Sequence, residues 1–549
     1  MEGTSTGSGY SASGGLLERA RTIARPGFNR WLVPPAALAI HLCIGMAYGF
    51  SVFWLPLTRQ LGVDRSLAPP ADTSLLTMLF TTQYDWRVAD VTVLYTLFFV
   101  FLGSAAAIWG GWLERVGPRK AGVFSALFWC GGLAISALGV YLHQLWLMWL
   151  GSGVLGGIGL GLGYISPVST LIKWFPDKRG MATGMAIMGF GGGALIGSPL
   201  ADLLMNQFGA GVAARGVWQT LLTFGVIYAV FMLGGAFGYR VPPTNWAPEG
   251  WTAPAKKSGM ITTRNVHLRD AHKTPQFWLI WLVLMLNVSA GIGVLAIASP
   301  MLQFVFGGGL IGLPGVRQDA LNPDQARQVA TIAAGFVGLL SLFNIGGRFF
   351  WASISDKIGR KLTYATFFVL GTALYASSPW ASEIGSVALF VTFMCVIVSM
   401  YGGGFATVPA YLADVFGTQY VGAIHGRLLT AWSTAGVIGP IVITQIPQLL
   451  QERFKMPRGE SYTQTLYILA AFLVVGFVCN LLVRPVADRW FMRESTLAAP
   501  GITPLPVSAS HGMGRGGFSP MALVAWSAVG GPLAWGIWMT LSKALILFG

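Results

Sequence analysis

The chain has 549 residues, 54% hydrophobic and only 10% charged, with 73 glycines, 21 tryptophans and a formal net charge of +15. With a mean hydropathy of +0.63 most of it must avoid water, and continuous apolar runs in place of strict alternation favour membrane helices over a barrel. The basic residues are spread between apolar runs instead of forming a soluble face with aromatic platforms, which argues against nucleic-acid binding, and Cys43, Cys130, Cys395 and Cys479 lack the spacing of a disulfide framework or a zinc site.

Residues 1–30 open Gly/Ser-rich and close with arginines, and are expected to form a cytoplasmic tail. A crossing helix needs about 20 apolar residues. Runs of that kind fall at 31–57, 91–112, 121–142, 146–172, 181–204, 217–238, 277–303, 328–351, 362–380, 385–412, 424–450, 464–484 and 520–547. The proline-rich, basic stretch 239–276 interrupts them after six spans, which predicts an N-terminal bundle over 31–238, a central cytoplasmic loop over 239–276 and a C-terminal bundle over 277–484. Residues 485–519 read as a linker to an additional crossing. With the N-terminus inside, Lys and Arg favour the cytoplasmic side by about two to one.

Two loops repeat. "GGWLERVGPRK" (110–120) follows the second span and "ASISDKIGRK" (352–361) the eighth. Acid, base, aliphatic, Gly and a basic pair occur in both, an arrangement that suits a gate made by Glu114, Arg115, Arg119, Asp356, Lys357 and Arg360. "GSGVLGG" (151–157) matches a dinucleotide-binding pattern, but neither a strand nor a closing acid accompanies it, so it reads as a small-residue helix contact. No Walker-type loop is present, and no cofactor or metal is expected.

The repeated loops resemble the cytoplasmic signature of the major facilitator superfamily, although Glu114 replaces the more usual Asp. "MAYGFSVFWLPL" (46–57), "GYISPVSTLIKWFPDKRGMATGMAIMGFGGGALIGSPL" (163–200) and "VFGTQYVGAIHGRLLTAWSTAGVIGP" (415–440) are similar to the oxalate/formate antiporter family and, more distantly, to monocarboxylate porters. The resemblance implies an all-α polytopic membrane protein with the major facilitator fold, two six-helix bundles that rock around a central site, plus a thirteenth C-terminal transmembrane helix.

Arg348 stands eight residues before Asp356, deep in the eighth span. A charge there costs at least about 2.5–3.5 kcal/mol, so it needs a wet cavity and a partner. Every Asp and Glu lies in a tail, loop or helix end, which leaves an anionic substrate as the expected partner, held by the planar fork of the guanidinium. The resemblance implies an arginine at this place, and also a lysine in helix eleven; here Trp432 and Ser433 occupy that position. One central cation suits a monocarboxylate such as formate, lactate or pyruvate better than oxalate, unless His41 is protonated. Asn344 is the expected orienting group. Tyr48, Tyr95, Tyr164 and Tyr401 lie in segments resembling the family's cavity-lining helices, where a hydroxyl can meet a carboxylate and a ring a short carbon chain.

A secondary transporter of small organic anions is therefore expected, working by exchange and alternating access as a monomer in a bilayer, in the bacterial inner membrane. The alternatives are a carrier of another small solute and a proton-coupled monocarboxylate symporter. A cationic drug would need a buried carboxylate, a sugar more amides than Asn287, Asn344 and Gln303, and an enzyme a constellation that is missing.

Overall fold

The computed structural model describes residues 15–61, 67, 69–70, 72–243, 246–249, 251, 260–442, 446–456, 458–492 and 519–544. Its long helices, in chain order, are α1 Arg30–Phe53, α2 Val88–Val116, α3 Pro118–Tyr141, α4 Leu145–Trp174, α5 Arg179–Phe208 and α6 Val217–Gly238. The second half follows with α7 Pro275–Phe306, α8 Pro323–Ile358, α9 Arg360–Glu383, α10 Val387–Phe416, α11 in two pieces, Val421–Leu428 and Thr430–Pro440, and α12 Arg458–Leu482. α13 is Pro520–Ala544. Eleven of these segments are long and apolar enough to cross a membrane. Residues such as Ile108, Val230, Phe350 and Val475 present their side chains outward, as lipid-facing positions would.

The two halves repeat their packing. α2 lies on α4 as α8 lies on α10, α3 on α6 as α9 on α12, α1 on α6 as α7 on α12, and α1 on α5 as α7 on α11. The bundles meet through α5 against α8 and α2 against α11, with further α5–α10 and α4–α11 contacts. Both repeated loops turn at one glycine, Gly117 with φ +86° and Gly359 with φ +88°. Their ψ values of 166° and 151° complete a conformation open essentially to glycine alone. We call the end of the molecule that carries these loops and the start of α1 the base.

Several boundaries differ from those expected. The eighth span, read as 328–351, is a 36-residue helix that starts at an Asn322/Gln325 capping box and runs to Ile358. Its ends are too polar to register as apolar, but they are helical all the same. The eleventh span, read as continuous over 424–450, is interrupted at Leu429: the Thr430 hydroxyl donates to the Arg427 carbonyl at 2.8 Å and accepts from Trp281 Nε1 at 2.9 Å, diverting the helix ladder. α1 tightens into a 3-10 helix over Gly45–Phe53, where Gly45 lies against the backbone of Phe190 on α5. The "GSGVLGG" stretch is helical and includes a π-turn at Trp149–Gly156, packed against Gly132 and Ser136 of α3.

α13 packs on α1, α5 and α8 and so covers the α5–α8 seam. Trp526 Nε1 donates to the Trp31 carbonyl at 3.2 Å, Val529 packs with Leu38 and Ala39, and Gly536 lies against Leu195. The order of these contacts makes α13 parallel to α1 and α5, leaving the base.

Candidate functional site

α8 can carry an arginine to the centre because two neighbours are glycine where it approaches. A Cβ on Gly184 of α5 would lie 2.9 Å from the Arg348 carbonyl oxygen, and one on Gly402 of α10 would lie 3.1 Å from the Arg348 Cγ. Arg348 is 0% exposed. Its Nε donates to Asn344 Oδ1 at 2.9 Å, one turn earlier, and its Nη1 donates to the Ile187 carbonyl of α5 at 3.2 Å. The rings of Phe190 and Phe405 flank the guanidinium at 5.8 and 5.6 Å. Nη2 of Arg348 and Nδ2 of Asn344 are buried without a hydrogen-bond partner among the described residues. Such groups are costly unless something else accepts from them.

An aromatic cage closes over this pair. Trp432 on α11 packs against Phe405 at 4.5 Å, Tyr164 at 5.3 Å, Phe190 at 5.4 Å and Tyr48 at 6.2 Å between ring centroids. The Tyr48 and Tyr401 hydroxyls lie 3.1 Å apart and so join α1 of one bundle to α10 of the other. Tyr95 reaches the group through Phe99, 4.9 Å away. His41 stacks on Tyr164 at 5.2 Å. All eight residues expected at the centre therefore converge, although they come from α1, α2, α4, α8, α10 and α11. Trp432 Nε1 and the Tyr164 hydroxyl are buried donors without a partner among the described residues. A planar anion seated among these four donors would find a charged fork, an amide, an indole N–H and a phenol.

Sequence reasoning overlooked Phe99, Phe190 and Phe405, which look like any membrane phenylalanine, and His425. The last is 1% exposed on α11, its ring 5.9 Å from that of Tyr164 and both nitrogens without a hydrogen-bond partner among the described residues. A histidine inside an apolar run was the signal available for it.

At the base, the loop residues divide. Both oxygens of Asp356 accept from the first N–H groups of α5, Gly180 at 2.8 Å and Met181 at 2.9 Å, tying the bundles together. Arg360 donates to Asp356 at 2.6 Å and to Asp414 at 3.1 Å, and Asp414 also pairs with Arg179 of α5 at 3.0 Å. In the other copy Glu114 pairs with Lys173 at 2.7 Å, and its second oxygen lies beside Gly422 at the start of α11. Arg119 instead donates to the Leu16 carbonyl at 3.0 Å and holds the N-terminal segment, while Arg115 and Lys357 are exposed. Thus Asp356 and Arg360 lie in a network between the bundles together with Arg179 and Asp414, which sequence reading had not included.

The sequence profile of the Major Facilitator Superfamily matches residues 71–440. The chain belongs to the Major Facilitator Superfamily. Among characterised relatives of this superfamily member, the oxalate:formate antiporter of Oxalobacter formigenes is 27% identical over 412 residues, 75% of this chain and 83% of the relative. Apicoplast pyruvate carrier 1 of Toxoplasma gondii is 24% identical over 473 residues, covering 74% and 81%. The proton:xylose symporter XylE superposes with a TM-score of 0.58 at 14% identity over 83% of this chain and 97% of its own. The Escherichia coli fucose:proton symporter gives 0.54 at 12% identity, covering 83% and 100%. Both share the two-bundle fold. As a superfamily member the protein is a multi-pass membrane transporter of small molecules and not an enzyme.

Proposed function

We propose that the protein is a secondary carrier of small organic anions, short mono- or dicarboxylates, which it moves by alternating access and exchange. The observation that carries this reading is Arg348: a buried guanidinium whose Nε and Nη1 are satisfied by Asn344 and Ile187 while Nη2 is buried without a hydrogen-bond partner among the described residues. An incoming carboxylate supplies the missing acceptor and charge. The named relatives, an oxalate:formate antiporter and a pyruvate carrier, support the same substrate class. Tyr48, Tyr95, Tyr164, Tyr401, Trp432 and Asn344 shape the pocket, with His41 beside it, and the base network around Asp356 and Arg360, with Glu114 in the other copy, acts as the gate that must break for the base to open. The charge bias supports an N-terminus on the cytoplasmic side of a bacterial inner membrane, where the carrier is read as working as a monomer.

A thermal-shift panel of formate, lactate, pyruvate and oxalate on purified protein tests the reading. Stabilisation by at least one of these, abolished in Arg348→Gln, is expected. A panel in which sugars or amines stabilise and no carboxylate does would overturn it.

A further inference from the structure

Two histidines lie against Tyr164, and only one of them is held by the protein. His41 on α1 stacks on the ring at 5.2 Å, and both its nitrogens face backbone oxygens: Nδ1 the Ala186 carbonyl of α5 at 2.5 Å, and Nε2 the Tyr164 carbonyl of α4 at 3.2 Å. That ring joins three helices and keeps no nitrogen for a ligand. His425 on α11 lies 5.9 Å from the same tyrosine ring and is 1% exposed, and neither of its nitrogens has a hydrogen-bond partner among the described residues. Buried polar atoms of this kind are costly unless a ligand or a water meets them.

The fold sets His425 on the base side of the cage. Gly422, nearly one turn earlier on α11, lies beside Glu114 Oε1 of the base loop, and Gly426 lies against the Ala106 carbonyl of α2, so the first piece of α11 is seated on the N-terminal bundle. Trp432 follows seven residues after His425, about 10 Å along the axis and beyond the break at Leu429. Tyr164 spans the interval, its ring 5.3 Å from that of Trp432. It is thus the wall shared by the cage around Arg348 and by His425.

Arg348 supplies the cage with one positive charge, which balances one carboxylate; a second ionised group would stand unbalanced in a buried setting. A neutral imidazole, in either tautomer, offers one N–H and one lone pair. The group that meets such a ring without adding charge is one that both donates and accepts, a hydroxyl. A methyl group satisfies neither nitrogen, and a carboxylate only the N–H.

We propose that His425 forms a second subsite of the anion cavity and selects monocarboxylates that carry a hydroxyl at the end away from the carboxylate. This rests on the anion-carrier reading above and narrows its substrate class. Arg348 holds the carboxylate, and the hydroxyl, carried past the Tyr164 ring by a chain of about four carbons, exchanges a hydrogen bond with His425. Formate and oxalate are too short to make both contacts.

Isothermal titration of the full-length protein in lipid nanodiscs, at about pH 7.5 where an ordinary imidazole is mostly neutral, tests this. It compares 4-hydroxybutyrate with pentanoate, in which a methyl group of similar size replaces the hydroxyl, and with the dianion succinate. The hydroxy acid is expected to bind more tightly than succinate and about tenfold more tightly than pentanoate, as one hydrogen bond to an otherwise unpartnered buried ring allows. The preference over pentanoate should shrink to within about twofold in His425→Leu and survive in part in His425→Gln, which keeps a donor and an acceptor. Equal affinities for 4-hydroxybutyrate and pentanoate in the unmodified protein, a comparison that needs no variant to fold, would overturn the subsite, and so would tighter binding of succinate. A full preference retained in His425→Leu would overturn the assignment to His425. If formate, lactate, pyruvate or oxalate binds and 4-hydroxybutyrate does not, the subsite falls and the anion site stands; if no carboxylate binds, the anion-carrier reading falls and the subsite with it.

Discussion

Asn344 turns its carbonyl oxygen to Arg348 Nε, 2.9 Å away on the same face of α8, and so fixes the plane of the guanidinium. With Nη1 held by Ile187, rotation of the fork is stopped at both ends, and the guanidinium sits between the rings of Phe190 and Phe405. Arg348→Lys keeps the charge but loses the fork, and Arg348→Gln loses both. Each should retain a monodisperse fold and lose at least about tenfold of uptake, the range expected when one charged hydrogen bond to substrate, about 1.5–3 kcal/mol, is removed. Size exclusion and initial uptake rates read the two properties separately.

The carboxylate of Asp356 caps α5 across the bundle interface, and on the proposed gate this contact must break for the base to open. Asp356→Asn removes the charge that the helix terminus and Arg360 both favour, and should shift the population towards base-open by about tenfold, or ~1.5 kcal/mol. Distances between spin labels on the base ends of α4 and α10 should then lengthen in the variant. An unchanged distribution would remove Asp356 from the gate.

Much of this could be read in the residues themselves. Hydrophobic runs were legible as membrane helices because a bilayer admits few alternatives, and Arg348 stood out as a charge without an acidic neighbour in sequence. The interior of the cage was less accessible. Phe190 and Phe405 have no chemistry that separates a cavity wall from a lipid-facing or core ring, and their role appears only when α5 and α10 are packed around α8. The break in α11 depends on Thr430 accepting from Trp281, 149 positions away, which no local pattern encodes. The ion pair of Arg179 and Asp414 at the base was missed for a related reason: each stands at a helix end, where a charge is ordinary until the opposite bundle is in place.

Gly402 offers a packing test. A Cβ there would meet the Asn344 carbonyl and crowd the Arg348 Cγ at 3.1 Å. Gly402→Val should therefore push α10 away from α8, cost about 1–3 kcal/mol as overpacked cores do, and lower the melting temperature measurably along with anion binding. The same change at Gly531 of α13, which has open space around its Cβ direction, should leave the melting temperature nearly untouched.

α13 leaves the base beside α1 and runs parallel to α5. Its C-terminus should accordingly emerge on the side opposite the N-terminus. A reporter that fluoresces only in the cytoplasm should be bright as an N-terminal fusion and dark as a C-terminal one; equal brightness would mean that α13 does not cross. Because α13 covers the α5–α8 seam without reaching Arg348, deletion of 520–549 should lower thermal stability while leaving the order of preferred anions unchanged.

Counterflow in proteoliposomes reads the partnership of Arg348 with a transported anion directly. Vesicles are loaded with unlabelled pyruvate, formate, lactate or oxalate and presented with the same labelled anion outside. Transient accumulation of label is expected for at least one of them with the unmodified protein, and none with Arg348→Gln. Equal accumulation by the glutamine variant would contradict the role of the buried guanidinium as the anion's partner.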